Sequence, residues 1–529
     1  MYDLLIKGAI IVDGTGNPRS WGDVAVVEGR IAALGHLKSA RARRAIDASG
    51  LVACPGFIDI HTHSDATLLV NPRADGKVRQ GVTLEVVGHC GYSLAPLYGE
   101  AVEMATDALS QHDLELSWRT VGEYLGAVEQ RGIALNFATV VGHGCLRVGA
   151  MGHVRRPPTR DELDLMKRRL SLALAEGAFG LSTGLVYPPS SYAAPEEIVD
   201  LARVLAYHGG IYFTHLRNES AQLLEAVREA IRVGEEAGVP VQICHHKVIG
   251  EPNWGKVVET LRVIDQARLR GVDITLDQYP YTASATSLTV IIPGWAQEGG
   301  KETLLNRLRD PELRARLREE VEENQRRIGG WARLRVSSVQ SAANKQYEGL
   351  SIEDIAERRG ACPVDVALDL ILEERGNVGC VRFGMHEDDV RTVMRHPAVM
   401  VGSDGRALAV DGPLSVGKPH PRSYGTFPRV LGKYVREEEV LTLEDAVRKM
   451  TSLPAARLGL WDRGLLRPGF WADIVLFDPS RVRDRATYDN PHQYPEGIHW
   501  VLVNGVPVVD EGEHTGALPG MVLRRHDRA

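Results

Sequence analysis

The sequence has few cysteines and no long apolar run. Only six cysteines occur among 529 residues. They are scattered without a framework pattern, which excludes a disulfide-stabilised scaffold and favours a reducing compartment. No apolar stretch approaches the roughly 20 residues of a membrane span. The start carries an acid at Asp3 and lacks the apolar core of a signal peptide. We therefore expect a cytoplasmic protein with no membrane partner.

An excess of positive charge is also missing. The formal net charge is −7 and the sequence pI is about 6.2, so no basic face is indicated and nucleic acid is not an expected partner. Hydrophobic residues make up 44% and charged residues 25%, as in an ordinary globular enzyme. The chain shows no internal repeat and is longer than one compact domain usually is. A small molecule is the expected partner, and the oligomeric state stays open.

A strand-like run that ends in two histidines is the most informative motif. The mainly apolar residues Phe57–Ile60 follow Pro55 and Gly56 and lead into His61 and His63. Residues at i and i+2 of a strand point to the same side, so both imidazoles leave the strand end together. Two such imidazoles are half of a divalent metal site. An isolated pair of this kind also occurs at ordinary surface strand ends, so it does not establish the site alone.

Further candidate ligands stand at the ends of later apolar runs. Each such run is followed at once by a histidine, cysteine or aspartate, and each precedes a polar or glycine-containing stretch. In a β/α barrel the carboxyl ends of the strands converge on one face, where catalytic residues gather. Nitrogen, sulfur and carboxylate ligands of this kind suit zinc. These residues are Cys90, His215, the pair His245 and His246, and Asp404.

Alternating strand and helix patterns predict the fold class between residues 55 and 455. Helical apolar spacing covers Thr159–Glu176, Pro195–Tyr207, Ser220–Ala237 and Trp254–Arg270. Strand-like runs near residues 57, 84, 138, 180, 212, 242, 274 and 400 make a set of eight. This alternation indicates a parallel sheet, and the number of strands indicates a closed TIM-like (β/α)8 barrel.

Both ends of the chain are predicted to be β structure. Short strands with hairpin turns fill residues 1–54 and reappear in 456–529. Chain termini often lie close together, so we expect one small composite β-sandwich. A long interruption at 288–350, with a charged helix at Leu313–Ile328, precedes the last barrel strand. It is predicted to be an insertion that acts as an active-site lid or forms a surface excursion.

The motifs resemble those of a known family. Nearly the whole chain is similar to the amidohydrolase superfamily and, within it, to the N-acyl-D-amino-acid deacylases, also called D-aminoacylases. The cysteine turn Gly88–Ser93 and the run His245–Lys247 are the more specific matches. The other matching segments are Leu5–Gly8, Val12–Gly16, Pro55–Asp59 with His61–His63, Gly184–Pro189, Thr214–Arg217, Asp277–Tyr281, Ser403–Gly405 and Gly469–Val475.

The resemblance implies a ligand set and a reaction. It assigns Cys90, His215 and His245 to a tighter zinc site, and His61, His63 and Asp404 to a weaker one. Hydantoinases and dihydroorotases usually bridge two metals with a carboxylated lysine, whereas this subfamily is known for the cysteine. His89 departs from the asparagine expected in that turn. His246 competes with His245 as the ligand, although the order of residues in the family favours His245.

The implied activity is hydrolysis of the amide bond of N-acyl-D-amino acids to a carboxylate and a free D-amino acid. Zinc with an open position lowers the pKa of bound water to about 7 and polarises a carbonyl. Asp404 is the predicted general acid and base, with metal ligation or helix capping as its simpler roles. The substrate carboxylate needs a cation, for which Lys247 and Arg382 are candidates. Tyr187 and Tyr279 are further candidates for substrate contacts.

Two alternatives remain at this point. A cyclic-amide hydrolase of the hydantoinase or dihydroorotase kind is disfavoured by the missing bridging lysine. A non-catalytic barrel scaffold is disfavoured because all six candidate ligands are present. The sequence does not give the acyl chain, the preferred D side chain, or whether one or two metals are needed.

Overall fold

The computed structural model describes residues 1–525, and its centre is the predicted barrel of eight parallel strands. The last and first strands meet at a parallel bridge between Gly405 and Thr62, where the Asp404 amide also donates to the His61 carbonyl oxygen at 2.8 Å. The parallel register brings the carboxyl ends level, as where Gly184 pairs with His215. The strands are Phe57–Asp59, Val82–Val87, Asn136–Thr139 continuing as Val141–Gly142, Gly180–Gly184, Ile211–His215, Val241–Ile243, Ile274–Gln278 and Val399–Val401.

All four helices predicted from apolar spacing are present, within a few residues of their predicted ends. They are Arg160–Ala175, Pro195–His208, Leu223–Ala237 and Val257–Leu269. The other helices outside the inserted segment are Thr67–Val70, Asp75–Val78, Ala101–Ser110, Val121–Arg131, His143–Met151, Glu387–Arg395, Arg422–Arg429 followed by Val430–Glu437, Leu443–Met450 and Ser452–Leu458. Among residues 1–525, no helix combines the length and the apolar character that crossing a membrane requires.

Strands from both ends of the chain form one nine-stranded sheet. Val52–Pro55 joins the two halves, because it pairs with Tyr2–Ile11 on one side and with Ile474–Phe477 on the other. Apolar side chains from both ends share one core, in which Leu4 and Ile6 lie with Ile474 and Leu502. The remaining strands are Ser20–Val27, Arg30–Gly35, Ala42–Asp47, Ile498–Val503, Val506–Asp510 and Glu513–His514.

The segment between the seventh and eighth barrel strands has its own sheet and its own apolar core. The antiparallel strands Ala283–Ser287, Gly379–Phe383 and Leu334–Ser338 form the sheet, and buried residues from Leu288 to Cys380 form the core. The segment thus extends beyond the predicted 288–350, and we call 283–383 the insert. Its helices are Gly294–Gln297, Gly300–Arg309, Pro311–Arg327, Ile352–Arg359 and Pro363–Glu373.

Candidate metal centre

Cys90 lies among three histidines that come from three other barrel strands. Its Sγ is 3.5 Å from His61 Nε2, 3.5 Å from His245 Nε2 and 3.6 Å from His215 Nδ1. Nitrogen and sulfur ligands of one tetrahedral zinc lie roughly 3.4–3.8 Å apart, as follows from the usual bond lengths. Each of these three Sγ–N spacings is therefore that of two ligands on one zinc ion.

The backbone turn that carries Cys90 depends on glycine. Cys90 itself has φ of 55°, and Gly88 before it has φ of 86°. A Cβ atom on Gly88 would lie 2.0 Å from the Val140 carbonyl oxygen. A side chain at Gly88 would therefore push the second barrel strand from the third and displace the thiol.

Asp404 and His63 stand on the other side of His61. Asp404 Oδ1 is 3.0 Å from His63 Nε2 and 3.6 Å from His61 Nε2. His61, Cys90, His245 and Asp404 each offer one ligand atom within 4.8 Å of the others. His61 therefore lies close to both of the ligand groups that the resemblance implies. It is as near to Cys90 as His245 is, and it also lies beside Asp404.

The charge of Asp404 is stabilised by its neighbours. Its Oδ2 accepts a hydrogen bond from Arg422 Nη1 at 2.8 Å. Burial alone would raise the pKa of Asp404, but Arg422 and the histidines around it hold that pKa well below its usual range. The carboxylate is therefore ionised and able to take a proton or bind a metal.

A buried ion cluster fixes the turn that presents Asp404. Lys77 is fully buried and lies 2.8 Å from Asp59 Oδ2 and 2.9 Å from Glu85 Oε1. Its ammonium also donates to Ser403 Oγ at 2.8 Å, and the Ser403 amide donates to Asp59 Oδ1 at 2.8 Å. The cluster thereby ties the first, second and last barrel strands together directly beneath Asp404.

The structure places His245, and not His246, beside Cys90. The His246 ring points the other way, and its Nε2 is 2.9 Å from Thr260 Oγ1 in the helix Val257–Leu269. The two rings point in opposite directions from a turn after the strand Val241–Ile243, in which His245 has φ of 35°.

Sequence reasoning missed Glu219, which contacts both of these ligand histidines. Its Oε2 is 3.5 Å from His215 Nε2, and its Oε1 is 3.2 Å from His245 Nδ1. These are the ring nitrogens that face away from Cys90, so one carboxylate can hold both rings in their ligating orientation. The signal in the sequence was an acid four residues after His215, in the polar stretch that follows the fifth strand.

Lys247 lies next to the metal group, but its ammonium already has a partner. Its Nζ is 2.5 Å from Glu219 Oε1 and 2.7 Å from His245 Nδ1. Burial alone would raise the pKa of Glu219, but His215, Lys247 and His245 hold it well below its usual range. Any substrate carboxylate that binds Lys247 must therefore share it with Glu219.

The two predicted tyrosines lie on different sides of the site. The Tyr187 ring packs 5.0 Å from that of His215, and its hydroxyl is 3.1 Å from Thr286 Oγ1. Tyr279 lies between two cations, with Lys247 Nζ 5.7 Å and the Arg422 guanidinium 5.0 Å from its ring centre. Its buried hydroxyl has no hydrogen-bond partner within the described part of the chain. Arg422 was not predicted, because it lies well beyond the last strand, at the start of the helix Arg422–Arg429, where no motif marks it.

A cavity of about 1480 Å³ opens above the metal group. Barrel residues such as Cys90, His215 and Asp404 form its floor, and insert residues including Ile291, Ser337 and Arg382 form its far wall. Arg382 therefore faces the same space as the metal group, on the insert strand Gly379–Phe383. The cavity is large enough for an acylated amino acid together with water.

A barrel with histidine, cysteine and aspartate ligands at its strand ends is the arrangement that a metal-dependent hydrolase uses to hold its catalytic ion. The chain belongs to the amidohydrolase family, whose model matches residues 44–509. It is 39% identical to a D-aminoacylase of Alcaligenes xylosoxydans xylosoxydans over 99% of this chain and 98% of that one. It is also 39% identical to an N-acyl-D-glutamate deacylase of the same organism, over 99% and 96% of the two chains.

Solved structures give the same picture. The N-acyl-D-glutamate deacylase of Bordetella bronchiseptica, complexed with zinc and a phosphonate inhibitor, has a TM-score of 0.83 at 37% identity over 99% of both chains. A D-aminoacylase described by its binuclear metal centre has a TM-score of 0.83 at 38% identity over 99% of this chain and 100% of that one. A D-hydantoinase, 16% identical with a TM-score of 0.56 over 99% of each chain, shares the fold alone. The family resemblance and the fold class predicted from the motifs are thereby confirmed.

Proposed function

We propose that the protein is a zinc-dependent deacylase that hydrolyses N-acyl-D-amino acids to a carboxylate and a free D-amino acid. The observation that carries this proposal is the position of Cys90, with its Sγ within 3.6 Å of His61, His215 and His245. A cysteine at this place is the mark of the deacylase subfamily that the motifs resemble. The relatives described above are named as a D-aminoacylase and an N-acyl-D-glutamate deacylase, and the sequence match extends over nearly their full length.

Cys90, His215 and His245 would hold the tighter zinc, and His61, His63 and Asp404 a weaker second ion. Bound zinc supplies a Lewis acid for the amide carbonyl and lowers the pKa of water at neutral pH. Glu219 keeps the rings of His215 and His245 in their ligating orientation. Asp277 Oδ1 lies 3.3 Å from His61 Nδ1, but not in hydrogen-bonding geometry.

Asp404 is the residue proposed to move the proton. Its carboxylate faces the ligand histidines at 3.0–3.6 Å and is ionised. It can accept a proton from the attacking water and return it to the amide nitrogen, which is otherwise a very poor leaving group. Arg422 holds the other carboxylate oxygen, so that Oδ1 stays directed at the reacting atoms.

The substrate carboxylate is proposed to bind near Tyr279, between Lys247 and Arg422. Both cations contact residues of the metal group, at 2.7 Å from His245 Nδ1 and 2.8 Å from Asp404 Oδ2. When the substrate's α-carboxylate is bound there and its amide carbonyl is held at the metal site, the substrate side chain on Cα can point in only one direction. The Tyr279 hydroxyl, which has no partner among residues 1–525, is placed to donate to the same carboxylate.

The experiment is a hydrolysis panel with the zinc-loaded protein. Matched pairs of N-acetyl-D- and N-acetyl-L-amino acids are measured beside hydantoin and dihydroorotate. We expect turnover of the D forms well above the L forms and none of the cyclic amides. Equal rates for both hands would contradict the proposal, and so would preferential turnover of a cyclic amide.

The cytoplasmic location also stays a proposal, supported by the six cysteines, all of which are free thiols.

A further inference from the structure

More positively charged side chains line the cavity than are needed to bind one substrate carboxylate beside the metal group. Seven lysine and arginine side chains line it. Five of them have a carboxylate partner at 2.5–2.9 Å: Arg217 with Glu229, Lys247 with Glu219, Arg327 with Glu323, Lys345 with Glu348, and Arg422 with Asp404. Among the described residues, the other two, Arg382 and Arg406, have no carboxylate within ion-pair distance.

These two unpaired arginines differ in their exposure. Arg406 is exposed to solvent, where water satisfies a guanidinium at little cost. Arg382 is half-buried, and its Nε is enclosed without a hydrogen-bond partner in the part of the chain that the structure describes. An unpaired charge held away from water is costly, so the position of Arg382 calls for an anion that the chain does not supply.

Arg382 belongs to the insert, whereas Lys247 and Arg422 belong to the barrel part of the chain. It lies on the insert strand Gly379–Phe383 and pairs in register with Ser284 of the neighbouring strand. Two residues further along that strand, Thr286 Oγ1 is 3.1 Å from the hydroxyl of Tyr187. The strand beside Arg382 is thus contacted by Tyr187 and also by Arg422, whose Nη2 donates to the Ala285 carbonyl oxygen at 3.2 Å. Unlike Arg422, Arg382 has no carboxylate partner among residues 1–525.

We propose that Arg382 binds a second negative charge on the substrate, which makes N-acyl-D-amino acids with an acidic side chain the preferred class. The inference rests on the proposed function, in which Lys247, Arg422 and Tyr279 are assigned to the α-carboxylate. Sequence similarity does not make this choice, because the relatives named D-aminoacylase and N-acyl-D-glutamate deacylase are both 39% identical to the chain. The choice comes from the unpaired guanidinium.

The test compares kcat/KM for pairs of substrates that differ in charge and hardly in shape. N-acetyl-D-glutamate is measured against N-acetyl-D-glutamine, and N-acetyl-D-aspartate against N-acetyl-D-asparagine, with N-acetyl-D-methionine as an apolar reference. A charge-assisted hydrogen bond of this kind corresponds to a preference of about 10- to 100-fold for the acidic member. Arg382→Met should remove that preference and leave the glutamine and methionine substrates within a few-fold of the original enzyme. Arg382→Lys should restore part of it.

Two further variants make the assignment specific. Arg335→Met is the matched control, because Arg335 is on the same insert sheet but pairs with Asp489 outside the cavity, and the preference should persist there. Arg406→Met tests the exposed competitor, and a selective loss of acidic substrates in that variant would overturn the assignment to Arg382. An equal loss on acidic and neutral substrates in Arg382→Met would also overturn it.

The outcomes separate the inference from the proposed function. If neutral N-acyl-D-amino acids are hydrolysed and acidic ones are not preferred, the inference fails and the proposed function stands. If no N-acyl-D-amino acid is hydrolysed at all, the proposed function fails and the inference falls with it.

Discussion

The substitution Glu219→Gln separates the role of the ligands from the role of the residue that orients them. One carboxylate lies 3.5 Å from His215 Nε2, 3.2 Å from His245 Nδ1 and 2.5 Å from Lys247 Nζ. The substitution keeps the shape of the side chain but removes its charge. It also places an NH2 group where one of the three donors now finds an oxygen, so at least one contact becomes repulsive.

The expected magnitude follows from the number of contacts. Partners of this kind usually contribute 10- to 100-fold to metal affinity, or about 1.4–2.7 kcal/mol. Because Glu219 serves two ligand histidines at once, we expect a zinc dissociation constant raised toward the upper end, ~100-fold. Lys247 loses its partner as well, so KM for the substrate should change independently of zinc loading. A competition titration against a chelator measures the first effect, and kinetics at saturating zinc measure the second.

Glu229→Gln is the matched control for that experiment. Glu229 also forms a close ion pair, 2.7 Å from Arg217, but it contacts none of the ligand histidines. Its loss should leave zinc affinity within about twofold while costing similar global stability. An unchanged zinc affinity in Glu219→Gln, or an equal fall in both variants, would refute the orienting role. Thermal unfolding of both zinc-free variants shows whether either has lost its fold.

Three further predictions test the site and the barrel. Cys90→Ala should abolish tightly bound zinc and turnover, as metal analysis of the purified protein and an activity assay would show. Asp404→Asn should lower kcat by ~100-fold or more while the tight zinc remains, whereas loss of that zinc would make Asp404 mainly a ligand. Burial lowers the pKa of Lys449 from its ordinary 10.5 to about 8. Between those values the unfolded chain binds more protons than the folded one, so the free energy of unfolding should rise with pH by roughly 3 kcal/mol from this group. Lys449→Met should flatten that rise in urea unfolding, and an unchanged slope would contradict the assignment.

The barrel was predictable because its signals are local. Each strand is a short apolar run bounded by glycine, proline or polar residues, and most of its residues are buried in the structure, as in Val82–Val87 and Ile211–His215. The positions of the candidate ligands were predictable for the same reason, because residues directly after the barrel strands lie together at the carboxyl-terminal face of the barrel. The residues alone left the choice between His245 and His246 open, and only the order of residues in the family that the motifs resemble favoured His245.

The extent of the insert was not predictable from such signals. Its first strand, Ala283–Ser287, consists of alanine, serine and threonine and has no apolar alternation. It becomes a strand because it pairs with Gly379–Phe383, almost a hundred positions away in the chain. Pairing across that distance depends on the packed core between the two strands, and a window of local sequence does not contain it.

The pairing of charged side chains was equally unpredictable from local sequence, and of the unpredicted features it bears most on function. Lys247 was predicted as a candidate to bind the substrate carboxylate, but a glutamate from another strand end lies 2.5 Å from its ammonium. Arg422, which no motif marked, neutralises Asp404 at 2.8 Å. Which cation remains available to a substrate therefore depends on many pairings between residues that are distant in the sequence. Of the cations in this cavity, Arg382 and Arg406 have no carboxylate partner among residues 1–525, and the half-buried one, Arg382, belongs to the insert and not to the barrel. It follows that changes in the insert should alter substrate choice without loss of metal, whereas changes at the strand ends should alter both.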